Sequence, residues 1–130
     1  MRDERQSVDA AGAPAAIGPY SHAVKHGSQL FCSGMLPLSP GSGEWVDDSV
    51  GAETEQCLRN LEAVCAAAGT TLSEALRLTV YTTCLEQFAE INEAYGAFFG
   101  DAPPARAAVG VAALPKGVRV EIDAVVAIPG

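Results

Sequence analysis

Basic residues are scarce in this sequence. Eight Lys and Arg stand against sixteen Asp and Glu, for a formal net charge of −8, and the eight are scattered along the chain. Surfaces that bind nucleic acid concentrate cations, because phosphate neutralisation dominates their affinity. RNA, DNA and anionic membrane are therefore not expected partners. No run approaches the ~20 apolar residues needed to span a bilayer. There is no CxxC pair among Cys32, Cys57, Cys65 and Cys84, and nothing ahead of them reads as a secretion signal. They are expected as small, reduced core residues of a cytoplasmic protein. His22 and His26 are the only histidines and read as a surface pair, so no metal site is expected.

What is present suits one globular domain. The 130 residues are 48% hydrophobic and 18% charged, enough to bury a core without covalent staples. Residues 1–13, rich in Arg, Asp, Glu and Gln, read as a flexible leader, and residues 14–130 as a single domain. Two short β-like runs, Tyr20 to Lys25 and Gln29 to Gly34, flank a hairpin turn at His26-Gly27-Ser28. Glu44-Trp45-Val46 leaves a loop as a possible short strand. Leu58, Leu61, Val64, Cys65 and Ala68 recur at helical spacing, with Glu53 and Glu55 near the positive end of the helix dipole and Gly69 as its stop. A strand over Leu76 to Cys84 and a helix over Leu85 to Phe99 follow. Strands Ala107 to Ala112 and Val118 to Ile128 complete the chain. This order predicts an α+β or α/β architecture with two helices on one face of a single sheet.

The last strand alternates. Val118, Val120, Ile122 and Ala124 fall on one side, and Arg119, Glu121 and Asp123 on the other. A sheet covered by helices on one face must cover the other somehow, and self-association would do so. The chemistry concentrates at Pro103-Pro104-Ala105-Arg106 and at Glu121. Arginine at a strand mouth offers a planar, two-pronged grip on a carboxylate. Glutamate in a neighbouring strand could hold or activate a water. The pair suggests a compact site for a small carboxylate-bearing molecule.

Five motifs in order, Ile17-Gly18-Pro19-Tyr20-Ser21, Phe31-Cys32-Ser33-Gly34, Ile91-Asn92-Glu93, Pro103-Pro104-Ala105-Arg106 and Val120-Glu121-Ile122-Asp123, resemble the RidA (YjgF) family. These are the reactive-intermediate deaminases, called endoribonuclease L-PSP in older naming. The resemblance runs from about Ala13 to Ile128. It implies a chorismate-mutase-like fold, a single mixed sheet with two helices on one face, and a homotrimer with clefts between subunits. It also implies hydrolysis of 2-enamino and 2-imino acids such as 2-aminoacrylate to 2-keto acids and ammonia, without cofactor or metal. By position, Arg106 would bind the carboxylate and Glu121 would position the water. Tyr20, Ser33 and Asn92 would line or support the cleft, with Tyr20 supplied by the adjacent subunit.

Two positions depart from the family pattern. Ala108 stands where many members carry cysteine, leaving only the backbone there to contact substrate. Met35 replaces a frequent glutamine, which would alter pocket polarity. Other functions fit the same residues: a non-catalytic regulatory trimer that binds a 2-keto acid, or a deaminase dedicated to one pathway, such as that of an aminomuconate-type intermediate. The ribonuclease of the older name runs against the charge count.

Overall fold

A computed structural model describes residues 4–130. The strands are β1 (Gln6–Val8), β2 (Ala23–His26), β3 (Gln29–Met35), β4 (Ala75–Thr82), β5 (Ala105–Gly110) and β6 (Val120–Ala127). The helices are α1 (Val50–Ala67) and α2 (Phe88–Phe99). One mixed sheet runs in the order β1-β2-β3-β6-β4-β5, and only the β4–β5 pair is parallel. A parallel pair needs a crossover connection, and α2 is that crossover. The expected α+β fold, two helices on one face of a single mixed sheet, is present.

Helix α1 begins where the Ser49 hydroxyl accepts a bond from the Ala52 amide at 3.0 Å, satisfying one orphan donor of the first turn. Its apolar stripe, Leu58, Leu61, Val64 and Cys65, is fully buried. Gly69, just past the end, takes φ +84°, a conformation open to glycine. Strand β6 alternates as expected. Val120, Ile122, Ala124 and Val126 are buried on the helix side, while Glu121, Asp123 and Val125 are half-buried on the other face. On that open face β3 presents Phe31, 46% exposed, beside Val125. Cys32, Cys57 and Cys65 are free and buried.

Several expectations change. Gln6–Val8, within the expected leader, is an edge strand paired with β2, and Ala10 and Ala13 are buried in the core; Met1 to Asp3 lie outside the described residues. Trp45 makes only an isolated bridge to Leu38, not a strand. His22 is not a surface residue. It is buried, accepting from the Ala10 amide at Nδ1 (2.9 Å) and bonded through Nε2 to the Pro14 carbonyl (2.8 Å). Glu53 lies in the first turn of α1 but is wholly buried. Its carboxylate takes the Arg119 side chain at 2.5 Å and the Arg119 amide at 2.9 Å. That pairing, rather than the helix dipole, is its main interaction.

Most consequential, β5 and β6 are not neighbours. β4 lies between them, because the α2 crossover delivers β5 to the outer edge of β4.

Candidate functional site

Glu121 is one anchor of the site. It sits two residues beyond Arg119, which Glu53 fixes, and points to the open face of the sheet. The irregular pairing of β3 with β6 between Cys32 and Met35 brings Gly34 beside it. A Cβ at Gly34 would collide with Glu121 Oε2, so the missing side chain is what lets the carboxylate lie against β3. Among the described residues no side chain or amide pairs with Glu121. Burial first, and the Asp123 charge second, push its carboxyl above the usual range. Asp123 in turn accepts a hydrogen bond from the Tyr81 hydroxyl at 3.1 Å, which leaves Glu121 the freer of the two carboxylates.

Glu121 opens onto a cavity of about 340 Å³. Tyr20 and Ser33 line it, together with Met35 and the apolar Ile17, Leu36 and Leu38. The Ser33 hydroxyl donates to the Ser21 carbonyl at 2.6 Å, tying the segment that carries Tyr20 to β3. The Tyr20 hydroxyl accepts from the Ile17 amide at 3.2 Å, and its residue is 45% exposed. Three of the expected residues, Tyr20, Ser33 and Glu121, therefore meet around one cavity, and Tyr20 comes from the same chain as Glu121 rather than from an adjacent one.

Sequence reasoning missed Lys116, which also lines the cavity. It is the one non-glycine among the described residues with positive φ, at +60°. The Leu114-Pro115-Lys116-Gly117 connection was visible, but nothing in its composition marked the lysine as the left-handed residue.

Arg106 belongs to a different constellation. It lies within β5, paired to Leu78, whose side chain is buried on the helix side. Its guanidinium accordingly meets α2. Nη1 donates to Asn92 Oδ1 at 2.6 Å, and the carbon centre lies 5.2 Å from the Phe88 ring centroid and 4.8 Å from that of Tyr95. Asn92 thus supports Arg106. Ala108, two residues further along β5 and paired to the buried Val80, shares that face and does not line the Glu121 cavity.

The expectation that Arg106 and Glu121 lie on neighbouring strands is overturned. Glu121 pairs with Tyr81 and Arg106 with Leu78, so their side chains leave opposite faces of the sheet. Their backbones are about 10 Å apart across two strand spacings and about 10 Å along them. Each chain holds the two groups of residues apart.

Among the described residues no three His, Cys, Asp or Glu side chains converge as metal ligands would, and no helix is long and apolar enough to cross a membrane.

The sequence model of the endoribonuclease L-PSP family matches residues 10–128. The RutC family protein y4sK of Sinorhizobium fredii is 50% identical, with 89% of this chain and 92% of that protein aligned. The 2-iminobutanoate/2-iminopropanoate deaminase of Mus musculus is 42% identical over 93% of this chain and 90% of its own length. The crystal structure of RidA from an Antarctic Psychrobacter superposes with a TM-score of 0.91 at 42% identity, covering 95% of this chain and 99% of that one. The chorismate-mutase-like fold is shared with these neighbours.

Proposed function

This chain belongs to the endoribonuclease L-PSP family, and on that premise we propose that it hydrolyses short 2-imino and 2-enamino acids to 2-keto acids and ammonia. The observation that carries the reading is Glu121: a half-buried carboxyl raised above its ordinary range, unpaired among the described residues and facing a cavity. A base with a raised pKa sits closer to neutrality, where it can both take and return a proton. Relatives named for 2-iminobutanoate and 2-iminopropanoate supply the substrate class.

In this mechanism the enamine first tautomerises to the imine. Arg106 binds the carboxylate, and Glu121 accepts a proton from water as the water oxygen attacks C2. The proton passes to nitrogen, giving a tetrahedral carbinolamine. Glu121 then carries the hydroxyl proton to the amino nitrogen, so that the C2–N bond breaks with ammonia leaving as the keto group forms. Every atom of the water ends in the keto acid or in ammonia. An imine is already electrophilic, so placing water beside an anchored substrate provides most of what is needed.

Arg106 and Glu121 face away from each other in one chain, so the reading requires Arg106 of one copy to approach the Glu121 cavity of another. A homotrimer with three such clefts satisfies it and also covers the open sheet face. The ribonuclease activity in the family's name is disfavoured by the net charge of −8. The dispersed basic residues and the cytoplasmic reading agree with a small-molecule enzyme.

The test is release of 2-ketobutyrate from threonine by a threonine dehydratase, with semicarbazide trapping the free imine. The chain should speed keto-acid release and reduce semicarbazone, and Arg106→Ala should do neither. No acceleration with this or a longer-chain imine would refute the deaminase reading.

A further inference from the structure

We propose that Phe88 and Tyr95 are positioning residues that hold the Arg106 guanidinium in one plane, with a single edge free for a carboxylate. The proposal deepens the reading of Arg106 as the carboxylate clamp and rests on it.

Phe88, Asn92 and Tyr95 are spaced by four and three residues along α2, which puts them on one helix face. All three converge on Arg106. The rings hold the cation by their faces, at 5.2 Å and 4.8 Å, and Asn92 fixes rotation within the plane through Nη1 at 2.6 Å. Two ring faces and one hydrogen bond through Nη1 leave the guanidinium little freedom. Tyr95 is only 4% exposed, and its ring contacts Phe99 at 4.8 Å between centroids. The platform under Arg106 is therefore itself anchored in the core.

The pattern of used and unused donors gives this geometry its purpose. Among the described residues neither Nε nor Nη2 of Arg106 has a partner. Those two nitrogens share the side edge of the guanidinium, which is the two-pronged edge that matches a carboxylate. Arg59 and Arg119 both form ion pairs with glutamates. Among the described residues Arg106 forms none, although many acidic side chains are present. Ring faces attract a cation without supplying a competing acceptor. An aromatic platform thus orients Arg106 and leaves its edge open, where a glutamate partner would occupy it. A planar carboxylate such as that of a 2-keto or 2-imino acid is the ligand this edge fits.

The experiment compares wild type, Phe88→Leu, Tyr95→Leu and Tyr95→Phe as the full-length assembled protein. Three quantities are read: 2-ketobutyrate affinity by calorimetry, kcat and KM for imine hydrolysis, and ¹⁵N relaxation of the Arg106 side-chain Nε–H. Each leucine variant should raise the keto-acid Kd and the KM about fivefold, as expected for one lost stacking contact. The kcat should stay within about twofold, and the Arg106 side chain should become mobile. Tyr95→Phe, which keeps the ring, should recover the affinity and order lost in Tyr95→Leu.

Unchanged order and affinity in both leucine variants would overturn the proposal. So would a Tyr95→Phe variant as impaired as Tyr95→Leu, since the hydroxyl rather than the ring would then be acting. Thermal melts identify a variant that merely unfolds; in that case the side-chain order in the other leucine variant decides. If wild type neither binds 2-ketobutyrate nor hydrolyses imine while Arg106 order still depends on the rings, the clamp reading falls and the positioning role stands. If wild type binds and the leucine variants match it in both affinity and Arg106 order, the reverse holds.

Discussion

Gly34 lies against the carboxylate of Glu121, and replacing it with alanine separates what the fold needs from what the site needs. An added Cβ would collide with Glu121 Oε2 and come within about 3 Å of the carboxyl carbon. What must move is the far end of a flexible side chain, not backbone. Glu121 can swing away at roughly the energy of an off-rotamer torsion, about 1 kcal/mol. For a chain of this length, that lowers Tm by about 4 °C. The carboxylate, however, leaves its place beside Ser33 and the cavity by an ångström or more, and a misplacement of that size lowers turnover about a hundredfold. Gly34→Ala should therefore melt within a few degrees of wild type, bind 2-ketobutyrate nearly as well, and hydrolyse imine about a hundredfold more slowly. Calorimetry and the coupled dehydratase assay give all three values. Full activity in Gly34→Ala would refute Glu121 as the group that handles water. A melting point lowered by 15 °C or more would show that Gly34 serves strand packing instead.

Burial is the larger cause of the raised Glu121 carboxyl and Asp123 the smaller. Asp123→Asn should therefore move the acid limb of the kcat/KM profile part of the way back toward the ordinary carboxylate range; an unmoved limb would detach that limb from Glu121. A raised carboxyl is held in its protonated form more tightly by the folded chain than by the unfolded one, so its stabilising effect is present at low pH and lost as pH rises through the folded value. Glu121→Gln should then be inactive yet melt higher than wild type at pH 7, with the gain vanishing near pH 4. Glu53→Gln breaks a pair in which Glu53 is wholly buried and Arg119 29% exposed. It should destabilise the fold by about 3 kcal/mol, measured by urea unfolding, and lower activity through the start of β6.

The parts of the fold legible in the sequence were those written in local periodicity. The stripe of α1 and the alternation of β6 each follow from a single repeating face, so the stop of α1 and the span of β6 emerged nearly in place. Pairing between distant segments was not legible. That β6 inserts between β3 and β4, leaving β5 on the edge, depends on contacts across tens of residues. With it went the relation of Arg106 to Glu121, because one intervening strand and the opposite face decide whether two residues can meet. Glu53 was read as a helix-dipole charge because its partner, Arg119, lies 66 residues away. The short strand Gln6–Val8 has no apolar alternation and exists by pairing with β2. For the candidate site, family motifs named Tyr20, Ser33, Asn92, Arg106 and Glu121, and the structure sorts them into two sets. The resemblance implied clefts between subunits, but no local pattern indicated that Glu121 would side with Tyr20 and Ser33 and Arg106 with Asn92.

That division makes a quantitative demand on the assembly. If each cleft takes Glu121 from one copy and Arg106 from the next, then Arg106→Ala and Glu121→Ala damage different halves of every site. Either variant alone leaves no intact cleft. When the two are mixed in equal amounts, dissociated and reassembled, a cleft is whole if one side comes from the Arg106→Ala chain and the other from the Glu121→Ala chain. Random assembly into a closed ring gives that combination at about one cleft in four. The mixture should recover about a quarter of wild-type imine hydrolysis, while each variant refolded alone stays inactive. Recovery should rise and fall with the mixing ratio and peak at equal amounts. A mixture no more active than its components, with exchange of chains confirmed by mass spectrometry, would mean that Arg106 and Glu121 do not share a cleft. The Glu121 cavity of a single chain would then have to bind its substrate without Arg106, leaving Lys116 as its lining cation.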